Sequence, residues 1–191
     1  GGKDSGARSA FNGTYEKKLA LDWALRTGRL LAARGWQVYF TRTNDVTVAL
    51  PDRVALAEQV QADLFLSLHF NSGLPNPDLA GIETYCLTPA GLPSSLLRGY
   101  EDDPRQAYPN NAFDAENLQL AFVHQRTLVQ ATGATDRGVR RARFMSVLRG
   151  QNRPAVLIEG GYLTNPAEAR RIASADYRQK LAAAVAKGLG E

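Results

Sequence analysis

Two short apolar runs constrain this fold most: Leu64-Phe65-Leu66-Ser67-Leu68-His69-Phe70-Asn71 and Pro154-Ala155-Val156-Leu157-Ile158-Glu159. Both are bounded by turn residues and rich in branched side chains, so they read as strands covered on both faces, the pattern of a largely parallel sheet. Each run also carries an ionisable side chain at its carboxyl end, His69 in one and Glu159 in the other. Ligands of open α/β sheets bind at that edge. A histidine and a carboxylate at one rim suit a hydrolytic site with a bound cation. Gly160-Gly161, directly after Glu159, let backbone or substrate come close.

The rest of the chain supplies the flanking layers. Thr14 is placed to cap a helix from Tyr15 to Arg34, along which Leu19, Trp23 and Leu30, with Ala20, Ala24 and Leu31, recur at helical spacing until Gly35 ends it. Trp36 to Thr41 reads as a strand, Pro51 to Gln61 as a helix with proline in its first turn, and Ile82 to Leu87 as a strand. The linker from Ser72 to Gly81 is too short for a crossover helix, which leaves a hairpin or an irregular return. Asp114 is placed to cap a helix reaching to about Thr132, with Leu118, Phe122, Gln125 and Val129 on one stripe and Ala121 and Leu128 beside it, stopped by Gly133. Arg143 to Leu148 and Pro154 to Ile158 follow as strands, and Pro166 opens a helical region ending near Gly188. The expected fold is a single α/β domain over residues 1–191, a twisted, mostly parallel sheet flanked by helices in the manner of phosphorylase- and hydrolase-like folds. Within it, 88–113 is a long proline-containing loop, of the length usually kept for function.

Composition excludes several classes. No apolar run approaches the ~20 residues that cross a bilayer, so no transmembrane segment is expected. The net charge is +4, and arginines crowd at Arg137, Arg140, Arg141, Arg143, Arg149 and Arg153, which reads as a solvated arginine-rich hairpin edge favouring anionic partners. Only Phe144 lies among them, too few aromatics to interleave with the charges, so nucleic acid is not the expected partner. Cys86 is alone and apolar on both sides, a buried thiol rather than half of a disulfide. Gly1-Gly2-Lys3-Asp4-Ser5-Gly6 resembles neither a signal segment nor an initiator, and the chain reads as cut at its front.

Three side chains are candidates for chemistry. A catalytic zinc holds three protein ligands and leaves one position for water. His69 is a candidate ligand, or equally a hydrogen-bonded core histidine. Glu16, in the first turn of its helix, is a second candidate, or a carboxylate placed favourably against the helix dipole. Glu159 ends five apolar residues and is costly to bury alone, so it is either a general base or one half of an ion pair with a nearby arginine. His124 falls about 100° from the centre of the apolar stripe of its helix and reads as a flank residue, not a ligand.

Several separated motifs share order and spacing with one family. Gly1 through Ala7, Tyr15-Glu16-Lys17, Thr41-Arg42, Asp52-Arg53, Ala62 through Asn71, Gly81-Ile82-Glu83-Thr84-Tyr85, Asp136-Arg137-Gly138-Val139 and Pro154 through Asn165 together resemble the zinc-dependent N-acetylmuramoyl-L-alanine amidases. The resemblance spans nearly the whole chain. It implies Zn2+ as cofactor, Glu16 and His69 as metal ligands, Glu159 as the catalytic glutamate, and hydrolysis of the amide between the lactyl group of muramic acid and L-alanine in peptidoglycan. It also implies a monomer acting in the periplasm or the extracellular cell wall, with any activating protein left unspecified. In that family a strand and a histidine precede the Gly-Gly that begins this chain, so the resemblance implies an N-terminally truncated domain, lacking an interior strand and one ligand and holding zinc more weakly than a parent enzyme with all three ligands. The rival expectation is a non-catalytic cell-wall-binding or regulatory domain of the same fold, and a weaker one a zinc carboxypeptidase-like enzyme. For 88–113 a flexible lid or substrate-side loop is expected rather than a plugging helix.

Overall fold

Helix α1 (Glu16–Ala32) turns Leu19, Ala20, Trp23, Thr27, Gly28 and Leu31 inward at intervals of one, three and four residues, which is why it forms one wall of the core. In the computed structural model, which describes residues 1–97, 99 and 102–190, it is followed by α2 (Leu50–Gln59), β1 (Phe65–Asn71), β2 (Ile82–Cys86), a 3-10 turn (Pro109–Phe113), α3 (Asp114–Thr132), β3 (Asp136–Arg141), α4 (Ser146–Arg149), β4 (Ala155–Tyr162), α5 (Pro166–Ala173) and α6 (Ala175–Gly188). The strands form one sheet in the order β1-β4-β2-β3. β1 with β4 and β2 with β3 run parallel, and β2 with β4 antiparallel. The return from β1 to β2 is therefore irregular rather than a hairpin, since β4 lies between them.

Strand parity sorts the sheet into two faces. Leu66, Leu68, Phe70, Ile82, Cys86, Val156 and Ile158 pack with α1, α3 and α6 in one cluster, where Trp23 is wholly buried. An indole of roughly 200 Å² contributes about 5 kcal/mol there. Its ring centroid lies 5.3 Å from that of Phe70, and a Cβ on Gly160 would come within 2.9 Å of the indole, so glycine lets α1 close on β4. Phe65, Tyr85, Ala155 and Leu157 form the second cluster with Ala57, Met145, Val147 and Leu148 from around the short α2 and α4. Further along the same parity stand His69, Glu159 and Glu83.

Five sequence expectations are corrected. Trp36 to Thr41 is not a strand. A strand needs a ladder partner, and among the described residues β1 pairs only with β4, while a cavity of about 380 Å³ lies between α1, α2, residues 36–42 and the outer side of β1. Arg143 to Leu148 is not a strand either, because the chain leaves the sheet at Arg141 and re-forms as the single turn α4; the edge strand is the polar β3. On α3 the inward side is Asn117, Ala121, His124, Gln125 and Leu128, whereas Phe122 is 59% exposed. The helix packs against both β2 and α6, which rotates the buried stripe onto His124. Its Nδ1 donates to the Leu120 carbonyl at 2.8 Å. The arginine cluster is not one solvated hairpin edge, since Arg143 and Arg153 are buried and pair with Asp102 and Glu58. Thr14 and Asp114 do not cap: the N-caps are Tyr15 and Phe113.

Arg143 pins the long loop. Its Nη1 donates to Asp102 at 2.7 Å and its Nη2 to the carbonyls of Pro89 and Leu92 at 2.9 and 2.8 Å. Breaking such a buried pair from one side costs about 3 kcal/mol or more. Arg143→Ala is therefore expected to speed limited proteolysis within 88–108 about tenfold or more, and a cleavage rate equal to that of the parent chain would contradict this role.

Candidate active site

Glu16 and His69, 53 positions apart, meet at the rim because α1 begins where β1 ends. His69 Nδ1 lies 2.8 Å from Glu16 Oε1, and Nε2 lies 3.1 Å from Ser67 Oγ. The carboxylate is held on its other sides by two amides, Ala7 donating to Oε2 at 3.0 Å and Phe70 to Oε1 at 3.3 Å. Gly6 makes room for it: at φ 66° it takes a left-handed turn, and a Cβ there would sit 2.3 Å from Glu16 Oε2. Glu16 is thus oriented toward the imidazole.

Burial opposes ionisation of Glu16, but the hydrogen bond and charge of His69 and the two amides outweigh it, holding the carboxyl below the ordinary range. Desolvation likewise opposes the charge on His69. The hydrogen bond it donates to Glu16 and the charges of Glu159 and Glu16 prevail, so the imidazole titrates above its usual value. The His69 side chain is 44% exposed and that of Glu16 only 12%, so the ring is the open side of the pair. The pair is a nitrogen and an oxygen donor converging on one point, the chemistry of two ligands to a borderline cation such as zinc.

Glu159 belongs to the same row. It is the register partner of His69 on β1 and of Glu83 on β2, so all three leave the sheet on one face. It is 7% exposed. Among the described residues no three His, Cys, Asp or Glu side chains come together closely enough to cage an ion; Glu159 flanks the Glu16–His69 pair rather than joining it. Such a carboxylate, buried beside two donors, has the environment of a general base.

Glu83 is the part of the site that sequence reasoning missed. It is 2% exposed and accepts from Asn71 Nδ2, Tyr85 Oη and Tyr162 Oη at 2.6, 2.7 and 3.0 Å on one oxygen. The Nε atoms of Arg137 and Arg140 lie 3.3 and 3.4 Å from the other. The available signal was a lone glutamate alternating with apolar residues in Ile82-Glu83-Thr84-Tyr85, which must be paired when buried. Cys86 is buried as expected and its thiol is pushed up to about 12, chiefly by desolvation.

Known proteins resemble this chain over nearly its whole length. A family profile described as N-acetylmuramoyl-L-alanine amidase matches residues 1–191. The chain is 31% identical over 210 aligned positions to the N-acetylmuramoyl-L-alanine amidase AmiA of Escherichia coli, covering 99% of this chain and 72% of that protein. Among solved structures, the catalytic domain of CwlV, an N-acetylmuramoyl-L-alanine amidase of Paenibacillus polymyxa, aligns with a TM-score of 0.79 at 32% identity over 99% of this chain and 90% of that one. The N-acetylmuramoyl-L-alanine amidase of Clostridium difficile 630 aligns with a TM-score of 0.82, also at 32% identity, over 99% of this chain and 89% of that one.

Proposed function

The chain belongs to the N-acetylmuramoyl-L-alanine amidase family, and on that premise we propose that it hydrolyses the amide joining the muramic acid lactyl group to L-alanine in peptidoglycan, with zinc held by Glu16 and His69 and with Glu159 as the proton shuttle. The observation that carries this reading is the row on one sheet face, in which His69 touches Glu16 and stands in register with Glu159. Zinc in this position would polarise the amide carbonyl and acidify water.

The chain's own groups do the rest. Glu159 accepts a proton from the attacking water as the new carbon–oxygen bond forms, then delivers it to the amide nitrogen as the carbon–nitrogen bond breaks. The products are a muramoyl carboxylate and a free amino terminus on L-alanine, so atoms and charge balance. Glu16 fixes the orientation of His69, and Gly160-Gly161 keep the rim beside Glu159 free of side chains. The substrate places the reaction outside the cytoplasmic membrane, in the periplasm or cell wall.

The test is product analysis of peptidoglycan digested with the zinc-loaded protein. New amino termini on L-alanine are expected, suppressed by a chelator and restored by zinc. Release of free terminal amino acids instead, or no release at all with zinc bound, would overturn the proposal in favour of a peptidase or a wall-binding domain.

A further inference from the structure

Residues three apart on a regular strand point to opposite faces, yet Arg137 and Arg140 both reach Glu83. The cause is a bulge. The register between β2 and β3 steps from Ile82↔Asp136 to Thr84↔Val139, so one residue of β2, Glu83, faces two of β3, Arg137 and Gly138. Gly138 lies at φ 77°, the left-handed conformation that such a bulge assigns to glycine. A second irregularity acts from the other side. His69 pairs with Glu159 but Asn71 with Tyr162, so an extra residue in Gly160-Gly161 brings the Tyr162 hydroxyl round to Glu83.

Two departures from regular pairing thus build one hub, with a single buried carboxylate under two guanidiniums. Arg137 also lies over the Tyr162 ring, 5.2 Å from its centroid. Glu83 meets the arginines through their Nε atoms, and among the described residues neither side chain bonds to another acceptor. Their side chains are 25% and 35% exposed. The hub thus sets two guanidiniums against the Glu83 carboxylate, with the outer nitrogens of two forked donors available to an anion. Because Glu83 is the direct register partner of Glu159, this anion site stands on the same face as the reacting groups.

We infer that Arg137 and Arg140, braced by Glu83, bind a carboxylate on the second residue of the stem peptide and so set the enzyme's preference among substrates. The inference rests on the amidase reading above. Distance selects the residue. Glu83 stands one strand spacing, about 5 Å, from Glu159, and the arginine forks beyond its carboxylate, with a hydrogen bond of ~3 Å to the anion, carry the site out to roughly 10 Å. An extended chain advances ~3.3–3.6 Å per residue, so a carboxylate ~10 Å from the cleaved amide belongs to the residue after L-alanine with its own side-chain reach. Two arginine forks match a carboxylate better than ammonium groups would.

The experiment compares two synthetic N-acyl-L-alanyl peptides, one with a free carboxylate on the second residue and the other with that group as its carboxamide. Calorimetry reads binding and product analysis reads cleavage. The parent chain is expected to bind the carboxylate form about tenfold or more tightly, and Arg140→Gln to bring the affinity ratio of the two forms to within about threefold. Arg140→Lys, which keeps the charge and loses the fork, should fall between them and serves if the glutamine variant does not fold. A parent chain without preference, or an Arg140→Gln variant that keeps it, overturns the inference. Because the preference is read from binding, failure to cleave either peptide would count against the amidase reading alone.

Discussion

Glu159→Gln is expected to lower hydrolysis of the muramoyl–alanine amide by about 10²–10⁴-fold, the usual worth of a positioned proton-transfer group. Glutamine keeps the volume and an oxygen acceptor but holds no proton at neutral pH. The strand should survive, since Glu159 is flanked by the buried Ile158 and by Gly160 and the exchange removes a charge from a nearly buried position. Zinc content should also survive, because Glu159 stands beside the Glu16–His69 pair. The checks are turnover on purified peptidoglycan, metal content by mass spectrometry and thermal unfolding. Near-parental turnover would remove Glu159 from the mechanism; a parallel loss of zinc would recast it as a ligand.

His69→Ala should have the second-largest effect. It removes the nitrogen donor and leaves the Glu16 carboxylate, 12% exposed, without the partner that outweighs its burial. Zinc affinity measured by competition with a chromophoric chelator is expected to fall by about 100-fold or more, beyond the 10–100-fold that loss of an outer-shell partner brings. Activity should be lost with it and should not return on adding moderate excess zinc. A variant binding zinc as tightly as the parent would show that the metal lies elsewhere. The two variants separate the roles: one loses turnover with metal in place, the other loses the metal first.

The strands carrying His69 and Glu159 were legible because a short apolar run ending in an ionisable residue has few other readings. Helices α1 and α3 were legible within a residue or two, since their spacing is set by the core they face. β3 was not. Asp-Arg-Gly-Val-Arg-Arg has almost no apolar content, and it is a strand only because β2 offers a ladder along one edge. Trp36 to Thr41 failed in the opposite sense, having strand-like residues and no ladder partner among the described residues. Phe122 and His124 exchanged their expected places because periodicity gives the existence of a buried stripe, while the number of surfaces packed against the helix gives its centre.

Glu83 marks the boundary most clearly. Its motif was visible, but beyond Tyr85 on its own strand its partners come from β1, β3 and β4, and two of those contacts depend on bulges that shift side chains from one face to the other. By itself, the order of residues determined the α/β class, the buried runs and which ionisable groups end them, because local geometry and the cost of burying charge act within a few residues. Only the tertiary structure decided that Glu16 meets His69, that Glu159 and Glu83 share a face and that two arginines converge beside them. Register, bulges and chain crossings are set by pairing between distant segments, and no local pattern encodes the partner.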